Sequence, residues 1–340
     1  MKKKLLLLLS LVLLITGCGK NTIKLKNGKG VTIKDTATKN IQYEEYSNGL
    51  IKMQIPKGWK VEVAKVDYIH YSFKVYNPEN KDYMILFSLK QEGFPKTEKA
   101  RSWWAKTYPS AAFGKIQAIN PQTTEAFFKI WYKNAAYSNK EGTKDNYLPL
   151  FNNFKLIENL GKLSLGGDIL RANYDNDKGE LMQGLFTASV YSSGTYKMYG
   201  IDFAPLNVYH IIAMTAPDDD FVNWQPIYDN CIGTLSFTSE FMKKFNSQEK
   251  QLVNTVQANA KIYDSISDMI MDSWNKRSAS YDIISQKQSD ATLGYERVYN
   301  TNTGDVYRAY NGFTDEYSGS EYQTITDDMY TKTISGYIVK

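Results

Sequence analysis

Short apolar stretches with a two-residue period, each closed by Pro, Gly, Asn or Asp, recur between residues 43 and 215 and commit this part of the chain to β-sheet. Leu50-Ile51-Lys52-Met53-Gln54-Ile55 runs into Pro56-Lys57-Gly58-Trp59, a turn by its Pro and Gly. Lys60 to Val63 alternates again, as does Tyr71 to Tyr76, which stops at Asn77-Pro78-Glu79-Asn80. Tyr83 to Leu89 is nearly continuously apolar, the pattern of a central strand covered on both faces. Further strands are predicted over 154–159, 162–174, 179–191, 196–204 and 208–215, with Asp175 to Gly179 as a hairpin turn. Helical spacing interrupts them over 96–136. Thr97 is placed to cap a helix containing Ala100, Trp103 and Trp104, and Pro121 to open a second one containing Phe127, Phe128, Ile130, Trp131 and Ala135. Residues 138–150 read as a polar loop, and a helix follows Ala216-Pro217-Asp218 to about Leu235.

The N-terminus sets an expected compartment. Lys2-Lys3-Lys4 precedes Leu5 to Thr16, which is apolar except for Ser10 and Thr16. A helix of that length spans roughly 18 Å, short of the ~30 Å hydrocarbon core, so it reads as a secretory signal over 1–17 and not as a span. Ile15-Thr16-Gly17-Cys18 resembles the lipobox of bacterial lipoproteins. The resemblance implies cleavage between Gly17 and Cys18 and a diacylglyceryl group on the Cys18 thiol, hence a lipid-anchored protein on the outer face of a cell membrane. Two or more acyl chains are enough for stable attachment. Loss of Lys2, Lys3 and Lys4 takes the formal charge from +5 to +2, so the basic balance gives no reason to expect a nucleic-acid partner.

Domain organisation follows from the composition shifts. Residues 18–42 are Lys-, Thr- and Asn-rich and read as a lipidated tether, although Ile23, Leu25, Val31 and Ile33 alternate about Asn27-Gly28 and predict a hairpin within it. An α+β domain occupies 43–241. A helical connector over 242–290 carries Leu252, Val256, Ala260, Tyr263, Ile266, Ile270 and Trp274 at steps of three and four. A Tyr-rich β module fills 291–340, with hairpin-like turns at Asn300–Gly304 and Ser318–Ser320. Its tyrosines are read mainly as core filling, since Tyr brings a large apolar face.

The segment from Tyr46-Ser47-Asn48-Gly49 to Ile55-Pro56-Lys57-Gly58-Trp59 is similar to the opening of PsbP-like domains, and Phe221, Pro226, Tyr228, Ile232 and Leu235-Ser236-Phe237 are similar to their close. The resemblance implies an antiparallel sheet flanked by helices over 43–241, and a family that mostly binds or scaffolds other proteins, several members being bacterial lipoproteins. Arg277, Asp282, Ser289-Asp290, Gly294 and Thr303-Gly304 resemble a tail found in secreted bacterial proteins, which implies a recurring module without an assigned activity.

Chemistry-bearing patterns are sparse. His70 and His210, the two histidines of the chain, fall on predicted strands with no Cys or His at ligand spacing, so neither a zinc site nor a catalytic base is expected there. Ser247-Gln248-Glu249-Lys250 fits a Ser-x-x-Lys pattern but lacks the companion motifs and reads as a capped helix start. Asp175, Asp177 and Glu180 lack a full Ca²⁺ loop and read as a turn. Asp218-Asp219-Asp220, and more weakly Asp327-Asp328, suit helix N-termini. Cys231, at helical spacing with Trp224, Ile227, Tyr228 and Leu235, reads as a buried thiol.

The expectation is therefore an α+β lipoprotein anchored at Cys18, binding or scaffolding a protein or cell-wall partner without catalysis, cofactor or metal. A cell-wall hydrolase is one alternative, since carboxylates are plentiful. A solute-binding lipoprotein is another, and needs a cleft of roughly 300–1,000 Å³.

Overall fold

The computed structural model describes residues 22–65, 67–141, 147–163, 166–253 and 279–340. Gly17, Cys18, Arg277 and the helical ladder from Val256 to Trp274 lie outside them. The chain divides into two units. One comprises residues 22–39 with Asp290–Met329 and Ile334–Lys340, and the other Asn40–Ser289 with Tyr330–Thr333.

The first unit begins with β1 (Thr22–Lys24) and β2 (Gly30–Asp35), an antiparallel hairpin that sets Ile23 opposite Val31. Its turn is made by Asn27, whose Oδ1 accepts the Lys29 N–H at 2.9 Å, and by Gly28 at φ 78°. The hairpin predicted here is present. A tether over the whole of 18–42 is not: Ile23, Leu25 and Val31 are buried, so burial of their apolar surface outweighs the polar composition of the segment.

The second unit follows in chain order. β3 (Tyr43–Ser47), β4 (Ile51–Pro56), β5 (Lys60–Lys65), β6 (Tyr71–Tyr76) and β7 (Met84–Phe94) precede α1 (Glu98–Thr107), α2 (Ala112–Lys115) and α3 (Thr124–Glu141). Then come β8 (Asn152–Lys162), β9 (Asp168–Asp175), β10 (Leu181–Ser192), β11 (Lys197–Met198), β12 (Ile201–Asp202), β13 (Leu206–Pro217), α4 (Phe221–Gly233), β14 (Ser236–Phe237) and α5 (Ser239–Val253). Seven strands make one antiparallel sheet in the order β5-β6-β7-β13-β10-β9-β8, and β14-β4-β3 make a second, three-stranded sheet. The fold class is α+β, as the strand pattern predicts.

Alternation along β7 shows how the sheet is covered. Ile85, Phe87 and Leu89 join the core formed with β4, α4 and α5, while Met84 and Leu86 join the core formed with α3. Cys231 is buried in the first core, and burial pushes its thiol up to about 12. In β13, His210 and Ile211 stand opposite Ala188 alone, a bulge with His210 at φ 53°.

Several local boundaries differ from the sequence prediction. The helix expected at Pro121 begins at Thr124, because Thr123 supplies the cap: its Oγ1 accepts the Ala126 N–H. That helix runs on to Glu141, into the predicted loop. The strand expected over 196–204 is split into β11 and β12 by Tyr199 and Gly200, both at positive φ. Ser247 lies inside α5 rather than at a helix start.

The chain returns to the first unit at Asp290, near the end of α6 (Ala279–Thr292), and continues with β15 (Tyr295–Asn300), β16 (Val306–Tyr310), α7 (Phe313–Glu316), β17 (Tyr322–Thr324) and β18 (Ile334–Val339). The sheet order is β1-β2-β18-β16-β15-β17, with β16 and β18 parallel. Asn300–Gly304 lies in the β15–β16 connection, as predicted. Ser318–Ser320 instead joins α7 to β17. Tyr307 and Tyr322 are core residues beside Phe313.

Candidate functional site

Helix α3 lies over one face of the seven-stranded sheet and leaves a cleft of about 460 Å³ between itself and β5, β6 and β7. Its apolar wall comes from Phe94, Ile116, Phe127, Trp131, Ala135 and Leu148. Phe127, Trp131 and Ala135 recur at steps of four along α3 and share one face. The strand side contributes Ala64, Ser72, Ser88 and Lys90.

The segment 147–149 is fixed to α3 and the sheet by polar side chains. Asn139 donates Nδ2 to the Leu148 carbonyl and accepts the Leu148 N–H on Oδ1, both at 2.8 Å. Trp131 Nε1 donates to the Pro149 carbonyl at 2.7 Å, and Lys74 Nζ to the Tyr147 carbonyl at 2.7 Å. These bonds satisfy backbone groups that have no ladder partner.

A charged cluster stands at the mouth. His70 sits in the turn just before β6, one residue short of the strand on which it was predicted. Asp67 makes that turn, its Oδ1 accepting the N–H groups of Ile69 and His70 at 2.8 and 2.7 Å. The His70 ring Nδ1 lies 2.9 Å from Asp67 Oδ2, and Nε2 lies 3.4 Å from Glu92 Oε1 without hydrogen-bond alignment. Lys90 Nζ reaches Glu92 Oε2 at 2.5 Å. Glu92 raises the His70 pKa above its usual value, against the opposing effect of burial and with the help of Asp67. In return the imidazole, followed by Lys90, holds the Glu92 carboxyl near about 2. Burial alone would push Asp67 up, but its hydrogen bonds with His70 outweigh that and hold it low.

Both imidazole nitrogens therefore face carboxylates, an arrangement that stabilises the imidazolium. Ser72 Oγ donates to the Ala64 carbonyl at 3.1 Å and lies 3.3 Å from the Tyr147 hydroxyl. Among the described residues, no Ser, Thr or Cys hydrogen-bonds His70. The site offers apolar walls and a charged rim, which can hold and orient an amphipathic group.

The other candidates are dispersed. His210 is buried in β13, the strand on which it was predicted, and neither ring nitrogen has a hydrogen-bond partner among the described residues. Burial lowers its pKa to about 4. Asp175, Asp177 and Glu180 belong to a turn organised by Asn176, whose Oδ1 accepts the Lys178 and Glu180 N–H groups. Among the described residues, no group of three His, Cys, Asp or Glu is placed to hold a metal ion. Asp220 precedes α4, accepting from Tyr83 Oη, Trp224 Nε1 and Asn223 Nδ2 instead of from the backbone.

Asp67, Lys90 and Glu92 were not singled out in the sequence. Asp67 was within reach of sequence reasoning, since an Asp three residues before a His can make the turn seen here. Lys90 and Glu92 were not, because their pairing with His70 depends on β6–β7 register.

No family model matches the chain, and no curated protein sequence matches it. Among solved structures, the solution structure of cyanobacterial PsbP (CyanoP) from Synechocystis sp. PCC 6803 is 12% identical, with a TM-score of 0.24, and covers 60% of this chain and 98% of its own. The chain thus has a structural neighbour in a PsbP protein. At that TM-score the neighbour carries no further argument, and the α+β class stands on the strand order described above. No helix among the described residues is long and apolar enough to cross a membrane.

Proposed function

We propose that the chain is an extracytoplasmic lipoprotein, anchored through Cys18, that acts at the cell envelope by binding and not by bond-making. The larger unit supplies the binding site, the cleft between α3 and the sheet. Support for the anchor comes from Lys2-Lys3-Lys4, the short apolar run Leu5–Thr16 and the lipobox-like Ile15-Thr16-Gly17-Cys18. Support for binding comes chiefly from one observation: the histidine at the cleft mouth has both nitrogens turned to carboxylates, with no described nucleophile bonded to it. A cleft of about 460 Å³ falls within the range of small-molecule and peptide side-chain sites.

The test compares the full chain with Cys18→Ala and with Ala135→Phe, which fills the cleft. In native envelopes, Cys18→Ala is expected to leave the membrane fraction and lose acyl labelling. Ala135→Phe is expected to stay anchored but lose whatever the unaltered chain co-purifies. Retention of Cys18→Ala on membranes with its label would overturn the anchor. Release of peptidoglycan fragments by the purified protein, abolished in His70→Gln, would establish the hydrolase reading instead.

A further inference from the structure

A second surface of the larger unit lies on α1 and the hairpin β11–β12, none of whose residues line the cleft. Lys96 Nζ reaches Asp202 Oδ2 at 2.8 Å and the Gly194 carbonyl at 2.5 Å, which pins the hairpin to the start of α1. Asp202 Oδ1 also accepts the N–H groups of Tyr196 and Ala204. Behind the hairpin, Ile201 and Phe203 pack on Ala100 together with Trp103 and Trp104.

This end displays aromatic residues to solvent. Tyr108 is 51% exposed, Tyr196 59% and Tyr199 78%. Tyr199 and Gly200 form the two-residue tip at φ 52° and 71°, the requirement of a type I′ turn. A bulky side chain at positive φ is unfavourable, and Asn or Asp would fit the turn better. The hairpin keeps a large exposed ring at its tip against local backbone preference, which points to use of that ring.

Among the described residues of α1 and the hairpin, the charges left without an ion-pair partner are lysines. Lys99, Trp103 and Lys106 follow one another at steps of four and three, so they form one stripe of α1. Lys197 lies between Tyr196 and Met198 on the hairpin. Lys99, Lys106 and Lys197 are exposed and have no ion-pair partner among the described residues. The neighbouring carboxylates are already occupied, Glu98 by Arg101 and Asp202 by Lys96.

We infer that this end of the larger unit docks onto an anionic phospholipid surface. Tyr and Trp combine an apolar ring with a polar edge and partition to the headgroup level, where lysines meet lipid phosphates. A flat platform for a sugar ring is not what the aromatics build. Trp103 meets Trp104 at 83° and Phe203 at 62°, so ring faces are turned toward ring edges within the cluster.

The inference does not rest on the anchor, and the test removes it. A chain starting at residue 19 retains every described residue and lacks both Cys18 and the apolar leader. It is expected to sediment with vesicles of equal parts phosphatidylglycerol and phosphatidylcholine, to ignore pure phosphatidylcholine, and to be released by salt. Tyr196→Ser with Tyr199→Asn, and separately Lys99→Gln, Lys106→Gln and Lys197→Gln together, are expected to weaken binding by about tenfold or more. Unchanged circular dichroism would show that these variants fold. Tyr199→Phe is expected to retain binding. Failure to bind the anionic vesicles, equal binding by the folded variants, or binding to peptidoglycan in preference to the vesicles would each overturn the proposal.

Discussion

Asp290 and Arg297 meet through Oδ2 and Nε at 2.5 Å with both side chains buried in the smaller unit. Arg308, also buried, lies 2.6 Å from the other carboxylate oxygen through Nη2. One carboxylate thus joins the start of β15 to β16, through two residues that face each other across the ladder, Arg297 and Arg308. Removing the carboxylate leaves buried cations without that counter-charge. Asp290→Asn is expected to cost about 3–5 kcal/mol. Denaturant titration should show an earlier transition for the smaller unit, and a loss below about 1 kcal/mol would mean that the pairing contributes little net stability.

His210 makes stability depend on acid. Its pKa in the folded chain, about 4, lies below the value of 6.5 it takes when exposed. The folded state thus disfavours protonation, and stability is lost as pH falls from about 6.5 to about 4. The shift corresponds to about 3 kcal/mol. His210→Leu should flatten this part of the stability–pH profile; a variant that keeps the full acid dependence would assign it to other groups.

His70 carries the opposite sign. Its raised pKa means that the Glu92 and Asp67 contacts stabilise the fold fully below pH 6.5 and lose that effect as pH rises through the folded-state pKa. With two histidines in the chain, proton NMR should resolve two imidazole titrations, one on each side of the ordinary value. Glu92→Gln is expected to move the higher one down and leave the lower one in place.

Gly114 is required by close approach. A Cβ there would lie 2.6 Å from the Ala105 backbone nitrogen and 2.7 Å from its Cα. Backbone cannot swing away as a flexible side chain does, so Gly114→Ala is expected to separate α2 from α1 and cost about 1–3 kcal/mol. Thermal melting checks this, and an unchanged midpoint would show that α2 shifts freely.

The strand periods of the larger unit were legible because alternation is local: Tyr71–Tyr76 is a strand at the bounds the sequence predicts, and Tyr83–Leu89 marks the strand covered on both faces. The Thr97 cap was legible for the same reason, since its hydroxyl needs only the N–H of Ala100 three residues on. Helix starts set by competing caps were less so, as Thr123 shows against Pro121. What the sequence by itself determined is the α+β alternation, the buried Cys231 and the hairpin about Asn27-Gly28. The tertiary structure alone decided that this hairpin joins a sheet with β18, some 300 residues away, through pairs such as Ile33 with Ile338. It also decided that His70 meets Glu92, because register between strands depends on the summed burial of two faces and not on any residue's neighbours in the chain.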